Sequence, residues 1–374
     1  MPTIEAAVVR EKSGPFVIET ISLDAPRPNE VLIRIVGVGM CHTDLVVRDQ
    51  YFPTPLPAVL GHEGAGVVEQ IGSAVTKVGI GDHVVLSYAS CGVCVNCQRG
   101  LLGYCTDLYG RNFSGARPDG SNPCCDKHGA TVSGYFFAQS SFGQYALATE
   151  RNVVKIPKDV PVEIMGPLGC GIQTGAGAVI NALKPGAGTS IAVFGAGSVG
   201  LSAIMAARVV GCTTIVAVDL NTQRLHLAEE LGATHTLNGA AQDVVASIRD
   251  LTGGEGVQYA LECTGLPAVV RQAVDSLRLT GICGTIGVSP LGTEFTLDMN
   301  AVLFGRTVRG VIEGDSVPDI FIPQLVELWR QGRFPFDKLI KFFPLSQIEE
   351  AAHASEKGDV LKAVMLPKPI DGRT

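Results

Sequence analysis

Residues 191–201 read IAVFGAGSVGL, and the three glycines in that stretch constrain the fold more than any other feature. Gly195, Gly197 and Gly200 are spaced G-x-G-x-x-G, directly after the apolar run SIAVF and at the opening of the small-residue stretch SVGLSAIMAARVVG. The first glycine permits a tight turn from strand to helix. The second lets the backbone approach a pyrophosphate, and the third lets helix and strand pack closely. Unpaired N–H groups at the helix start then face the phosphates. Asp219 closes the next apolar run, TTIVAVD, nineteen residues after Gly200. A carboxylate there accepts both hydroxyls of an adenosine ribose and repels a 2′-phosphate, which favours NAD over NADP. Arg224, five residues on, is placed to cap the same ribose or to reach a phosphate.

The pattern around this motif fixes a fold class. From SIAVF to RTVRGVIEG, strand-like and helix-like runs alternate, which predicts an α/β unit with a parallel sheet covered by helices on both faces. Before it, the first ~170 residues hold short β-like runs such as EVLIRIVGVGM, GAGVVEQIG and GDHVVLSYAS, broken by Gly, Pro and Asn. They predict a compact, mostly β domain. After about residue 314 the chain reads as two amphipathic helices and a closing strand that return to the first domain. The boundaries expected are 1–171 with 315–374 for the first domain and 172–314 for the second.

A net charge of −7 and the lack of any Lys/Arg run argue against a nucleic-acid surface. No run of eighteen apolar residues occurs, and MPTIEAAVVREKSG lacks the apolar core of a signal peptide. The expectation is a cytoplasmic protein with no membrane partner. In a reducing compartment, clustered cysteines serve as thiolate metal ligands rather than disulfides.

The candidate ligands form two sets. Cys91, Cys94, Cys97 and Cys105 fall in CGVCVNCQRGLLGYC. Four thiolates in one loop make a closed zinc site with no position left for chemistry. The bland alternative is four reduced thiols without metal. An iron–sulfur site is the sharper rival, but the run lacks the closing Cys-Pro and carries a long x7 gap. The second set is dispersed: Cys41, His42, Thr43 and Asp44 in GMCHTD, His62 and Glu63 in LGHEGAG, and Cys170 in GPLGCGIQTGAG. One His and two Cys make an open zinc site with a fourth place for water or substrate. Taken singly, each cysteine would more often be a buried apolar residue.

GHEGAGVV, the four-cysteine run, GCGIQTG and the glycine motif with Asp219 occur in the order found in the zinc-dependent medium-chain alcohol dehydrogenases, which the chain resembles over almost its full length. GMCHTDLVVRDQ, LPAVLGHEG, FFAQSSF, MGPLGCGIQTGAGA and GRFPFDKLIKF carry a closer likeness to bacterial aryl-alcohol (benzyl alcohol) dehydrogenases. The geraniol-type allylic alcohol dehydrogenases share similar stretches. The resemblance implies a GroES-like catalytic domain interrupted by a Rossmann coenzyme domain. It implies NAD and two zinc ions, one catalytic on Cys41, His62 and Cys170, the other structural on Cys91, Cys94, Cys97 and Cys105.

The same resemblance implies residue roles. Asp44 orients His62, Glu63 sits behind the metal, Thr43 bonds the substrate oxygen, and His42 lies near the pyrophosphate. Lys362 lies near a coenzyme phosphate, Thr174 packs on the nicotinamide, and Val288 belongs to the coenzyme site. Phe52, Phe136 and Phe137 lie in segments that line the substrate pocket, or else are plain core. The implied reaction is oxidation of benzyl-type primary alcohols to aldehydes by hydride transfer to NAD. Geraniol-type alcohols are the alternative substrates, and glutathione-linked formaldehyde oxidation is a weaker one. The family also implies a homodimer or homotetramer through edge-to-edge sheet pairing. One departure stands out: many members carry a histidine at the position of Val46 to finish a proton relay, and valine cannot carry a proton.

Overall fold

The computed structural model describes residues 3–368. They divide into two compact units, one formed by the chain up to Cys170 with Val317–Val326 and everything from Asp337, the other by Gly171–Ser316 with Glu327–Phe336. Residues 327–336 thus group with the second unit, where the sequence reading returned 315–374 whole to the first.

The first unit is built on two sheets. The strand Glu30–Gly39 is its axis, because its apolar run EVLIRIVGVG is buried almost throughout. It pairs antiparallel with Glu63–Ile71, Tyr145–Thr149 and Lys362–Leu366. His83–Leu86 and Val153–Ile156 continue this sheet on one side and Ile340–Pro344 on the other. A second sheet runs Ala58–Val59, Thr3–Val9, Val17–Leu23, Cys124–Asp126, Thr131–Val132. Register sets the neighbours at the end of the axial strand: Gly39 faces Glu63 on one side and Val364 on the other. The C-terminal strand therefore delivers Lys362 beside the segments that carry Cys41 and His62.

In the second unit, six strands pair parallel in the order His235–Asn238, Thr214–Asp219, Ser190–Phe194, Val257–Glu262, Leu277–Thr285, Thr307–Gly310. This is the doubly wound arrangement of dinucleotide-binding folds, with its switch point beside Ser190–Phe194. Continuous apolar runs such as SIAVF suit it because such strands are covered on both faces; Ile191 to Phe194 are fully buried.

Candidate active site

The helix His42–Arg48 opens directly after the strand Glu30–Gly39, and its first turn links two ligands. Asp44, fully buried, accepts the Cys41 backbone N–H on Oδ2 (2.9 Å) and the Gly61 N–H on Oδ1 (3.1 Å). The same Oδ1 lies 2.8 Å from His62 Nδ1. An imidazole that gives its Nδ1 proton to a carboxylate keeps its Nε2 lone pair for a metal. His62 Nε2 is buried with no hydrogen-bond partner, which is costly unless an ion takes it up. Burial works against charge on this ring, but the Asp44 carboxylate outweighs it and raises the ring's basicity well above the usual histidine range. The Cys170 thiol, hydrogen-bonded to Cys41, helps pull the Cys41 thiol well below the ordinary cysteine value. The ligand atoms of Cys41, His62 and Cys170 lie within 4.8 Å of one another. The donor set therefore fits an open zinc site.

Glu63 occupies a slot cut by two glycines. A Cβ on Gly39 would lie 2.1 Å from Glu63 Oε2, and one on Gly166 would lie 2.1 Å from the Glu63 carbonyl. Lys362 Nζ donates to both Glu63 carboxylate oxygens at 2.9 Å and to the Met40 carbonyl at 3.1 Å. An ammonium has three donors, and all three are used. Burial disfavours charge on Lys362, but the Glu63 carboxylate more than compensates and its pKa is raised. The structure thus pairs Lys362 with Glu63, where the sequence reading expected it at a coenzyme phosphate. A lysine 2% exposed is retained charged only by such a partner.

Thr43 Oγ1 lies 3.8 Å from Cys41 Sγ. His42 is exposed, and Val46 is buried. Around His62 lies a cluster of rings. Phe137 stacks on the imidazole (centroids 4.5 Å apart, planes at 29°), and Phe136 meets it edge-on at 5.4 Å. Phe113 touches Phe136, Phe137 and Phe52, and Tyr109 stacks on Phe113 at 5.0 Å. The sequence reading named Phe52, Phe136 and Phe137 but missed Phe113 and Tyr109. Their signal was available: they lie four apart in LYGRNF, the spacing of one helix face.

The four-thiolate lobe closes as its spacing demands. Its ligand sulfurs lie within 4.8 Å of one another, with Cys91 and Cys97 Sγ 3.9 Å apart. Backbone N–H groups point at sulfur: Cys91 N to Cys105 Sγ at 3.2 Å and Cys94 N to Cys91 Sγ at 3.3 Å. Thr106 and Cys97 N–H groups pull the Cys94 thiol down to about 5, whereas burial pushes Cys105 up to about 11. Zinc binding would displace that proton.

In the second unit Gly195 takes φ +95°, and a Cβ on Gly200 would lie 1.8 Å from the Gly195 carbonyl oxygen. A Cβ on Gly197 would meet nothing within 4 Å, so the backbone there is open to an incoming group. Gly197 also precedes the helix Ser198–Val209 with no side-chain cap, leaving its first N–H groups facing outward. Asp219 Oδ2 accepts the Ala196 N–H and Oδ1 the Asn221 N–H, at 2.6 and 2.8 Å. Arg224 Nη1 lies 4.0 Å from Asp219. These residues fit a dinucleotide without a 2′-phosphate. Thr174 Oγ1 lies 3.4 Å from Glu313 Oε2, and Val288 is 39% exposed.

Residues 27–158 match the alcohol dehydrogenase GroES-like domain model, and residues 198–329 match the zinc-binding dehydrogenase model. A geraniol dehydrogenase of Castellaniella defragrans is 46% identical over 364 residues, covering 97% of each chain. The benzyl alcohol dehydrogenase structure from Acinetobacter calcoaceticus is 50% identical with a TM-score of 0.95, over 98% of this chain and 100% of that one. An alcohol dehydrogenase zinc-binding domain protein from Burkholderia ambifaria is 56% identical with a TM-score of 0.96, over the same shares. Identity at this level along nearly the whole length means that the chain belongs to the zinc-dependent medium-chain alcohol dehydrogenase family, with zinc and NAD as its cofactors.

Proposed function

We propose that this enzyme oxidises primary alcohols of the benzyl type to aldehydes with NAD. The observation that carries the reading is the ring of Phe137 stacked on the ligand His62, with Phe136, Phe113 and Phe52 behind it. An apolar aromatic wall beside a polar reacting centre is what a flat conjugated alcohol requires. Such alcohols yield conjugated aldehydes, which eases hydride loss.

Cys41, His62 and Cys170 would hold a zinc ion that would supply Lewis acidity toward the alcohol oxygen, and the Gly195–Gly200 turn with Asp219 would hold NAD, which would supply the hydride acceptor. The protein's residues do the rest. Asp44 fixes the plane of His62, and Thr43 takes a hydrogen bond from the substrate hydroxyl. A threonine hydroxyl is too weakly basic to keep a proton, so Thr43 is a conduit. Val46 cannot pass the proton on; exposed His42 and water are the outlet in this reading. The aromatic wall excludes water from the reacting carbon.

Geraniol-type allylic alcohols are the second reading, favoured by the 46% identical relative. Glutathione-linked substrates would need cations for their carboxylates, and the rings of Phe136 and Phe137 packed against His62 offer none. None of the eleven cysteines is in a disulfide, in keeping with a cytoplasmic setting, and no helix among the described residues is long and apolar enough to cross a membrane.

The test is a rate survey with NAD over benzyl alcohol, cinnamyl alcohol, geraniol and ethanol. Burying a phenyl ring stabilises by about 2–3 kcal/mol, so kcat/KM for benzyl alcohol should exceed that for ethanol by about 100-fold. Equal values would sink the aromatic reading. A geraniol value well above benzyl alcohol would transfer it to the allylic class.

A further inference from the structure

At the root of the four-thiolate lobe lies a cavity of about 190 Å³, lined among others by Cys91, Ser90, Arg111 and Arg151. Two guanidiniums beside a cavity suggest an anion site, but the charges argue otherwise. A zinc ion with four thiolates carries a formal charge of −2, and Cys91 is in the cavity wall. Arg111 is already committed, with its Nε 2.9 Å from Asp107 Oδ2. Arg151 forms no ion pair with a carboxylate among the described residues. Instead its Nε donates to Ser90 Oγ at 3.1 Å, which directs the guanidinium over the loop that begins at Cys91. Its place there is built in: Gly92 has φ +77°, and a Cβ on it would lie 2.4 Å from Arg151 Nη1. The guanidinium fills the volume that a side chain at position 92 would occupy.

We propose that Arg151, anchored by Ser90, is the counter-charge that retains zinc in the four-cysteine lobe. The backbone N–H groups aimed at the sulfurs supply only partial charges. A whole positive charge against the loop offsets part of the excess negative charge and slows loss of the metal. Arg151 itself is exposed, so its contribution is screened by salt. It acts through the cysteines and is a positioning residue, not a catalytic one.

The test follows zinc release from the intact enzyme to the chromogenic chelator 4-(2-pyridylazo)resorcinol. Cys170→Ala, which lacks the catalytic site, identifies the phase that belongs to the lobe. Arg151→Gln should speed that phase by about 10-fold, the low end of what losing an outer partner costs a metal site, and leave the other phase unchanged. Arg151→Lys, which keeps the charge, should stay near the wild-type rate, and added salt should shrink the gap between Gln and wild type. Ser90→Ala should give a smaller acceleration in the same direction. An unchanged lobe phase in Arg151→Gln overturns the proposal. So does an Arg151→Lys rate equal to that of Arg151→Gln, since shape rather than charge would then be at work. A wild-type count of one zinc per subunit would instead overturn the assignment of zinc to the lobe, a separate failure.

Discussion

At the scale of single residues, the buried pair of Lys362 and Glu63 shows how far sequence can be read. Cys41, His62 and Cys170 were legible because zinc accepts few donor types, so a His and two Cys in a dehydrogenase pattern have few other uses. Asp44 was legible from the family pattern, and the structure adds that it ties the Cys41 backbone to the His62 ring. Lys362 was placed differently, because its partner lies 299 residues away in the chain and no local pattern announces it. Removing one member of a buried ion pair leaves the other charge without compensation, at a cost of about 3–5 kcal/mol. Lys362→Met should therefore lower the melting temperature by several degrees, and the double variant Lys362→Met/Glu63→Gln should recover much of the loss. If Lys362→Met instead left the melting temperature unchanged and raised KM for NAD, the lysine would be serving the coenzyme and not Glu63.

At the scale of elements, the segment 136–140 holds the aromatic wall in place against its own backbone preference. Phe137, Ala138 and Ser140 adopt φ of +52°, +51° and +45°, a region that costs non-glycine residues about 1–3 kcal/mol each. Fixed bonds hold the segment there. Gln139 accepts the Gly64 N–H and donates to the His62 and Ser87 carbonyls, and Ser140 Oγ donates to the Val59 carbonyl. FFAQSSF gives no hint of left-handed backbone, since that conformation is normally signalled by Gly or Asn; tertiary bonds impose it. The strand Ile340–Pro344 was missed for a related reason: it lies at the sheet's end, pairs among the described residues only with Lys362–Leu366 and finishes on proline, so its run carries little strand pattern. The parallel strands of the coenzyme unit were legible because burial on both faces leaves continuous apolar runs. Gln139→Ala should free Phe137 to move off His62. The expected result is a fall in kcat/KM that is about 10-fold larger for benzyl alcohol than for ethanol, on the view that one misplaced wall costs ~1.4 kcal/mol of selective binding. Equal losses for both substrates would mean that the segment supports the fold and not the substrate.

At the scale of the whole molecule, the coenzyme unit leaves two sheet edges unpaired among the described residues, His235–Asn238 and Thr307–Gly310, and the second is the one flanked by exposed apolar side chains. Thr307–Gly310 ends the strand order and bonds only to Leu277–Thr285. A bare edge strand is a template for another chain. The segments that lead to it are apolar and exposed: Met299 is 86% accessible, Leu303 74% and Phe304 57%. Large apolar side chains at that exposure, next to an open edge, mark an association surface. We propose that a second copy covers it, each edge strand pairing with its twin about a two-fold axis, as self-complementary surfaces do. A pairing of this kind makes a dimer, and a tetramer requires a further surface. The net charge of −7 is modest enough not to oppose contact between like chains once salt screens it. Met299→Asp combined with Phe304→Asp would place four new charges in the contact, two from each copy, and unpaired buried charge is prohibitive. The wild-type enzyme should sediment as a dimer or tetramer, and the double variant should sediment at half its mass or less while remaining folded by circular dichroism. A wild-type monomer, or a variant with unchanged mass, would assign these side chains to something other than self-association.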